Sequence, residues 1–168
     1  MTLYKILSYI LLPIATLLGF LGLIALIIAI SQPALLLGVF MLVCVAIYTY
    51  TSFYFLQNGI IAQRKCKPSL KDWIKVNAYV AIAFGVLSVA QSISLLTNPV
   101  AIQQVIEQSA EMQSQMSGAS TPTDLLQKTT KWLLIVMGVT GVILIAHTFL
   151  TFSYLKKFGS AFDESSSN

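Results

Sequence analysis

Residues 6–63 read ILSYILLPIATLLGFLGLIALIIAISQPALLLGVFMLVCVAIYTYTSFYFLQNGIIAQ, with no Asp, Glu, Lys or Arg among them. A helix that crosses a bilayer needs about 20 largely apolar residues at a rise of about 1.5 Å each. The stretch therefore has room for two spans. Ser31-Gln32-Pro33 supplies the turn chemistry between them, and so short a connection predicts two neighbouring, antiparallel helices. A secretory signal has an apolar core of only about 7–15 residues. The run from Ile6 to Ile30 exceeds that, so it reads as a span, although Ala29-Ile30-Ser31 imitates a small-residue cleavage site.

Further along the chain, charged residues are missing again from Val76 to Gln104 and from Trp132 to Leu155, and each gap fits one more span. The sequence thus predicts four spans, at about 3–30, 34–56, 73–97 and 132–155. Pro13 is expected to bend the first. Gln57-Asn58-Gly59 is expected to end the second, with Gly59 in the left-handed capping position. Ser69, with Asp72 three residues on, resembles a capping box ahead of the third.

Asn98-Pro99 predicts a capped helix start. Beyond it Ile102, Val105, Ile106, Ala110 and Met116 recur at roughly helical spacing, with Glu107 and Glu111 among the polar positions. This pattern reads as an amphipathic helix outside the membrane. Ser117-Gly118-Ala119-Ser120 breaks it, and Thr121-Pro122-Thr123-Asp124 has the chemistry of a new start, with Thr121 as cap. The outer helical segment accordingly covers about 99–131, and residues 159–168 read as a short disordered tail. The expected fold is all-α: an integral membrane four-helix bundle over residues 1–158, with an extramembrane helical hairpin between the third and fourth spans.

Composition supports lipid as the solvent. The chain is 57% hydrophobic and 10% charged, whereas soluble domains carry about 25% charged residues. Its net charge of +4 does not predict a nucleic-acid partner, because the basic residues flank hydrophobic segments. Lys5, Arg64, Lys65, Lys67, Lys71, Lys75, Lys156 and Lys157 fall on one side of the predicted membrane, and only Lys128 and Lys131 on the other. The positive-inside rule then places both termini in the cytoplasm, with the protein in a plasma or inner membrane. Arg64, Lys65, Lys67 and Lys71 are candidate contacts for lipid headgroups, at about 1 kcal/mol each.

Chemistry-bearing residues are few. Cys44 and Cys66 form no CxxC or metal-ligand spacing. The sequence contains no GxxxxGK[ST], HExxH or GxSxG. No cofactor and no enzymatic activity are therefore expected. His147, the single histidine, lies inside the fourth span. Counting equal depths from the outer helix ends groups it with Thr16, Tyr48 and Thr49 as a candidate polar cluster. Such a cluster is either a proton or ligand site or a neutral histidine that helps hold helices together. The lack of any carboxylate in the spans favours the second reading.

Ser88 and Gln91 form a candidate polar path in the third span, unless they serve packing instead. Small residues line single faces of three spans: Ala15, Gly19, Gly22 and Ala29; Ala81, Gly85, Ser88 and Ser92; Gly138 and Gly141. Such faces let membrane helices approach closely. The candidate partner surface is the apolar stripe Ile102, Val105, Ile106 and Met116, which has folding against Pro122–Lys131 as its alternative. The expected role is non-catalytic, a scaffold or accessory subunit packing with itself or another membrane protein in the lipid bilayer. The alternative is a small oligomeric channel or transporter for an uncharged or weakly polar solute.

Overall fold

The computed structural model describes residues 1–30, 33–117 and 122–162. The turn at Ser31-Gln32, the break after Ser117, the Thr121 cap and the tail from 163 onward lie outside the described residues. Five α-helices make up most of the rest: α1 (Thr2–Ala29), α2 (Leu36–Tyr54), α3 (Pro68–Thr97), α4 (Pro99–Ser117) and α5 (Thr123–Lys157). No strand occurs among the described residues. Four helical stretches are long and apolar enough to cross a membrane: Thr2–Ala29, Leu36–Ile61, Pro68–Thr97 and Asp124–Lys157.

The chain divides into two compact units, Met1–Phe84 with Ile143–Asn168, and Gly85–Val142. In the first unit, α1 and α2 run antiparallel. The Tyr9 hydroxyl meets Gln57, while Gly22 faces Leu42. Leu11, Val45, Tyr48, Phe55, Leu56, Ile74, Ala78, Leu144 and Leu155 form its buried core. Leu17, Phe20, Leu23, Ile27, Leu37 and Phe40 remain exposed. An apolar surface of this extent is costly in water and ordinary against lipid.

The end of α2 departs from expectation. The helix does not stop at Gly59 but widens over Phe55–Ile61, where the Ala62 N–H reaches back five residues to the Gln57 carbonyl at 3.0 Å. Gly59 lies inside this wide turn and not in a left-handed cap. A Cβ there would fall 2.7 Å from the Phe55 ring and 3.3 Å from Cys66 Sγ, so the glycine makes room for a side chain. The left-handed residue is Gln63, at φ 50. The third span also begins earlier than expected, with Pro68 as its first helical residue. That position suits proline, because its missing N–H would have had no partner in the helix. Ser69 therefore sits within the helix and not ahead of it. Gly159–Phe162, expected to open the disordered tail, form a short helical turn. Its Phe162 is buried, with its ring 5.1 Å from that of Phe55.

The second unit holds the later part of α3, all of α4 and the first part of α5. Asn98 Oδ1 accepts from the N–H groups of Val100 and Ala101 at 3.1 and 3.2 Å, so Asn98 and Pro99 open α4 as their chemistry dictates. Ile102 and Ile106 are buried with Leu134, and Leu95, Leu126 and Met137 pack around them. α3 and α5 come into backbone contact where Gly141 meets Gly85, since a Cβ on Gly141 would lie 2.8 Å from the Gly85 carbonyl oxygen.

Candidate functional site

Two i, i+4 polar pairs supply the main groups of a buried site in the first unit. Tyr4 and Ser8 share one face of α1, and His147 and Thr151 share one face of α5. Ser8 Oγ donates to the Tyr4 carbonyl at 2.8 Å and lies 2.9 Å from His147 Nε2. The pairing in which Ser8 keeps its one proton on the carbonyl has it accept from the ring and puts the ring proton on Nε2. Nδ1 then accepts from the Tyr48 hydroxyl at 2.7 Å.

Thr151 Oγ1 donates back to the His147 carbonyl at 2.9 Å. It also lies 2.9 Å from the Tyr48 hydroxyl and 3.3 Å from that of Tyr4. The Tyr4 ring is sandwiched between His147, at 4.9 Å, and Tyr154, at 4.8 Å. The network therefore ties α1, α2 and α5 together through side chains that have almost no contact with solvent.

A serine Oγ at hydrogen-bond distance from a histidine Nε2 is also the geometry of a nucleophile and its base. Here Ser8 is 1% exposed and His147 is 0% exposed, and the serine oxygen stands as close to the Tyr4 carbonyl, at 2.8 Å, as to the ring. What the arrangement does is satisfy buried polar groups on three helices at once.

Of the expected polar cluster, Tyr48 and His147 come together, while Thr16 and Thr49 lie apart from them. Thr49 is buried and returns its proton to the Val45 carbonyl of its own helix at 2.9 Å. Thr16 is exposed and pairs with the Tyr50 hydroxyl at 2.7 Å. Depth counting assumes untilted helices whose outer ends lie level. It placed Ala15 and Thr16 beside His147, whereas the α1 partner is Ser8, about two turns further along. The signal for Ser8 and Thr151 was the i, i+4 pairing itself.

The candidate path also separates. Ser88 is buried and Gln91 is exposed, so the two do not line one surface. Ser92 Oγ is buried without a hydrogen-bond partner among the described residues, 3.2 Å from where a Gly138 Cβ would stand. The proposed partner stripe is largely spent within the chain, because Ile102 and Ile106 are core residues of the second unit and Val105 is half-buried. An amphipathic helix buries its apolar face wherever one is offered, and Leu134 offers it here. The Met116 side chain lies outside the described residues. Arg64, Lys65 and Lys67 are exposed and Lys71 is half-buried, on the segment that links α2 to α3 and at the start of α3.

The burial of Cys66 pushes its thiol above the usual cysteine range. Its backbone N–H donates to the Ala161 carbonyl at 2.8 Å, which fixes the loop to the turn after α5.

No family model matches the chain, and neither a curated protein nor a solved structure matches it.

Proposed function

We propose that this chain is a non-catalytic, multi-pass membrane protein that acts as a scaffold or accessory subunit, associating with itself or another membrane protein. In this reading the four spans form one bundle with both termini in the cytoplasm. The helix α4 and the start of α5 form the hairpin outside the membrane. The length of α5 supports that arrangement. Its 35 residues extend about 52 Å at 1.5 Å each, well beyond a hydrocarbon core of about 30 Å.

The observation that carries the reading is Gln91. It lies six residues before the end of α3, about 9 Å along the axis, with an exposed side chain and no hydrogen bond from its amide to any described residue. An amide facing hydrocarbon is costly, and membrane helices relieve that cost by hydrogen-bonding across an interface. The closed network around His147 supports the same reading, since the buried polar groups there are engaged with one another. The small-residue faces add nothing to it. Gly19 and Gly22 meet α2, and Gly138 and Gly141 meet α3, so those faces are used within the chain.

The test is the mass of the protein purified in mild detergent from its native host, for the natural chain and for Gln91→Leu. An assembly of defined stoichiometry that Gln91→Leu reduces to the single chain supports the proposal. A natural chain that is monomeric and alone contradicts it. The channel reading makes the opposite demand, that liposomes carrying the protein pass small neutral solutes faster than empty ones.

A further inference from the structure

The start of α3 and the end of α5 enclose a cleft of about 710 Å³, a size typical of small-molecule sites. Its lining is graded along the helix axes. Lys71 and Lys75 come from the first turns of α3, and Lys156 from the last turn of α5. One to two turns deeper the walls become aromatic, with Tyr79, Phe149 and Phe152. Tyr79 and Phe149 are 67% and 63% exposed, and the rings of Tyr79 and Phe152 stand 5.5 Å apart. No Asp or Glu lines the cleft among the described residues. Asp72, the nearest acid in sequence, lines a different groove with Phe40, Val43 and Trp73.

We propose that this cleft binds an anionic phospholipid, with its phosphate at the three lysines and an acyl chain along the aromatic wall. Charge complementarity selects the headgroup. Three lysines line one cleft, the Lys71 ammonium standing 5.8 Å from the Phe162 ring centroid, and no carboxylate lines it among the described residues; clustered lysines at a membrane surface attract anionic headgroups. The aromatic continuation selects an amphiphile over a free anion, because a soluble phosphate would leave those rings uncovered. The gradient also matches the membrane. Lysines stand at headgroup level, and the rings lie where acyl chains begin. The proposal differs from a general attraction of the Arg64–Lys67 loop to anionic membranes, since those residues do not line the cleft. It does not depend on the accessory-subunit reading.

The experiment is native mass spectrometry of the full-length protein in detergent, with dioleoylphosphatidylglycerol or dioleoylphosphatidylcholine added at equal concentration. We expect the anionic lipid to be retained in preference, and a Lys71→Gln, Lys75→Gln, Lys156→Gln variant to lose about a hundredfold in its retention. The matched variant Arg64→Gln, Lys65→Gln, Lys67→Gln has the same loss of charge and retains the lipid like the natural chain. Phe149→Ala lowers retention while leaving the charge unchanged. Equal losses in the two triple variants would reduce the effect to bulk charge and overturn the proposal. Displacement of the lipid by glycerol phosphate would overturn it too, by showing that the aromatic wall takes no part. All the substituted side chains except half-buried Lys71 are exposed, and unchanged helicity by circular dichroism confirms that each variant is folded.

Discussion

The Tyr48 hydroxyl stands 2.7 Å from His147 Nδ1 and 2.9 Å from Thr151 Oγ1. Removing that hydroxyl leaves Nδ1 without a donor in a fully buried place. Tyr48→Phe is therefore expected to lower stability by about 0.6–2 kcal/mol, the range for interhelical hydrogen bonds in membranes. Denaturant titration of helicity in detergent measures it, and an unchanged midpoint means that the bond does not hold the helices.

Cys66 gives a prediction in pH. Burial favours its protonated form in the folded state, so it contributes stability below the unfolded-state value that is lost as pH rises through the raised folded-state value. In a Cys44→Ser background, alkylation by iodoacetamide should reach its plateau at higher pH in folded than in unfolded protein. Coincident profiles would contradict this. The sequence displayed His147, Tyr48 and their lack of a charged partner. It did not display Ser8 as the third member, because helix tilt and offset displace depths by whole turns while leaving composition untouched.

Close packing decides which small residues on a helix are required. A Cβ on Gly141 meets a backbone oxygen at 2.8 Å, which cannot move without shifting α3, whereas one on Gly19 meets only Ala46 Cβ at 3.4 Å. Gly141→Ala is expected to destabilise by about 1–3 kcal/mol through overpacking, and Gly19→Ala to stay within about 0.5 kcal/mol of the natural chain. The same unfolding assay ranks the two, and equal effects would remove the distinction. Both glycines were visible in the sequence as members of small-residue faces. Which of them touches backbone was not, since that depends on the distance to another helix. The contrast between Asn98 and Gly59 makes the same point. Capping at Asn98-Pro99 is a matter of a few consecutive residues, and it could be read directly. The role of Gly59 depends on a ring four residues away in a turn of unusual width. Likewise, the periodicity of α4 identified Ile102 and Ile106 as apolar-face residues, while their burial depends on Leu134, which the pattern of α4 does not contain.

For the whole molecule, the charge-free gaps were enough to place four helices able to cross a membrane, because burying a charge in hydrocarbon is so costly that its absence leaves a clear mark. Helix ends were harder. α3 and α5 extend past the apolar gaps into charged residues, Lys71 to Lys75 in one and Lys128 to Lys131 in the other. Hydropathy ends where lipid ends, and backbone hydrogen bonding does not. The proposed orientation follows from the basic residues at one set of helix ends, and the proposed lipid site and partner contact are both placed by it.

That orientation, with four spans, is tested most directly by labelling single cysteines with a membrane-impermeant maleimide in sealed cells, in a Cys44→Ser, Cys66→Ser background. Lys67→Cys, Gln104→Cys and Ser160→Cys all sample exposed positions. Gln104→Cys is expected to react from outside at once, and Lys67→Cys and Ser160→Cys only after the membrane is permeabilised. Reaction of all three from the same side, or the reverse order, would contradict that orientation.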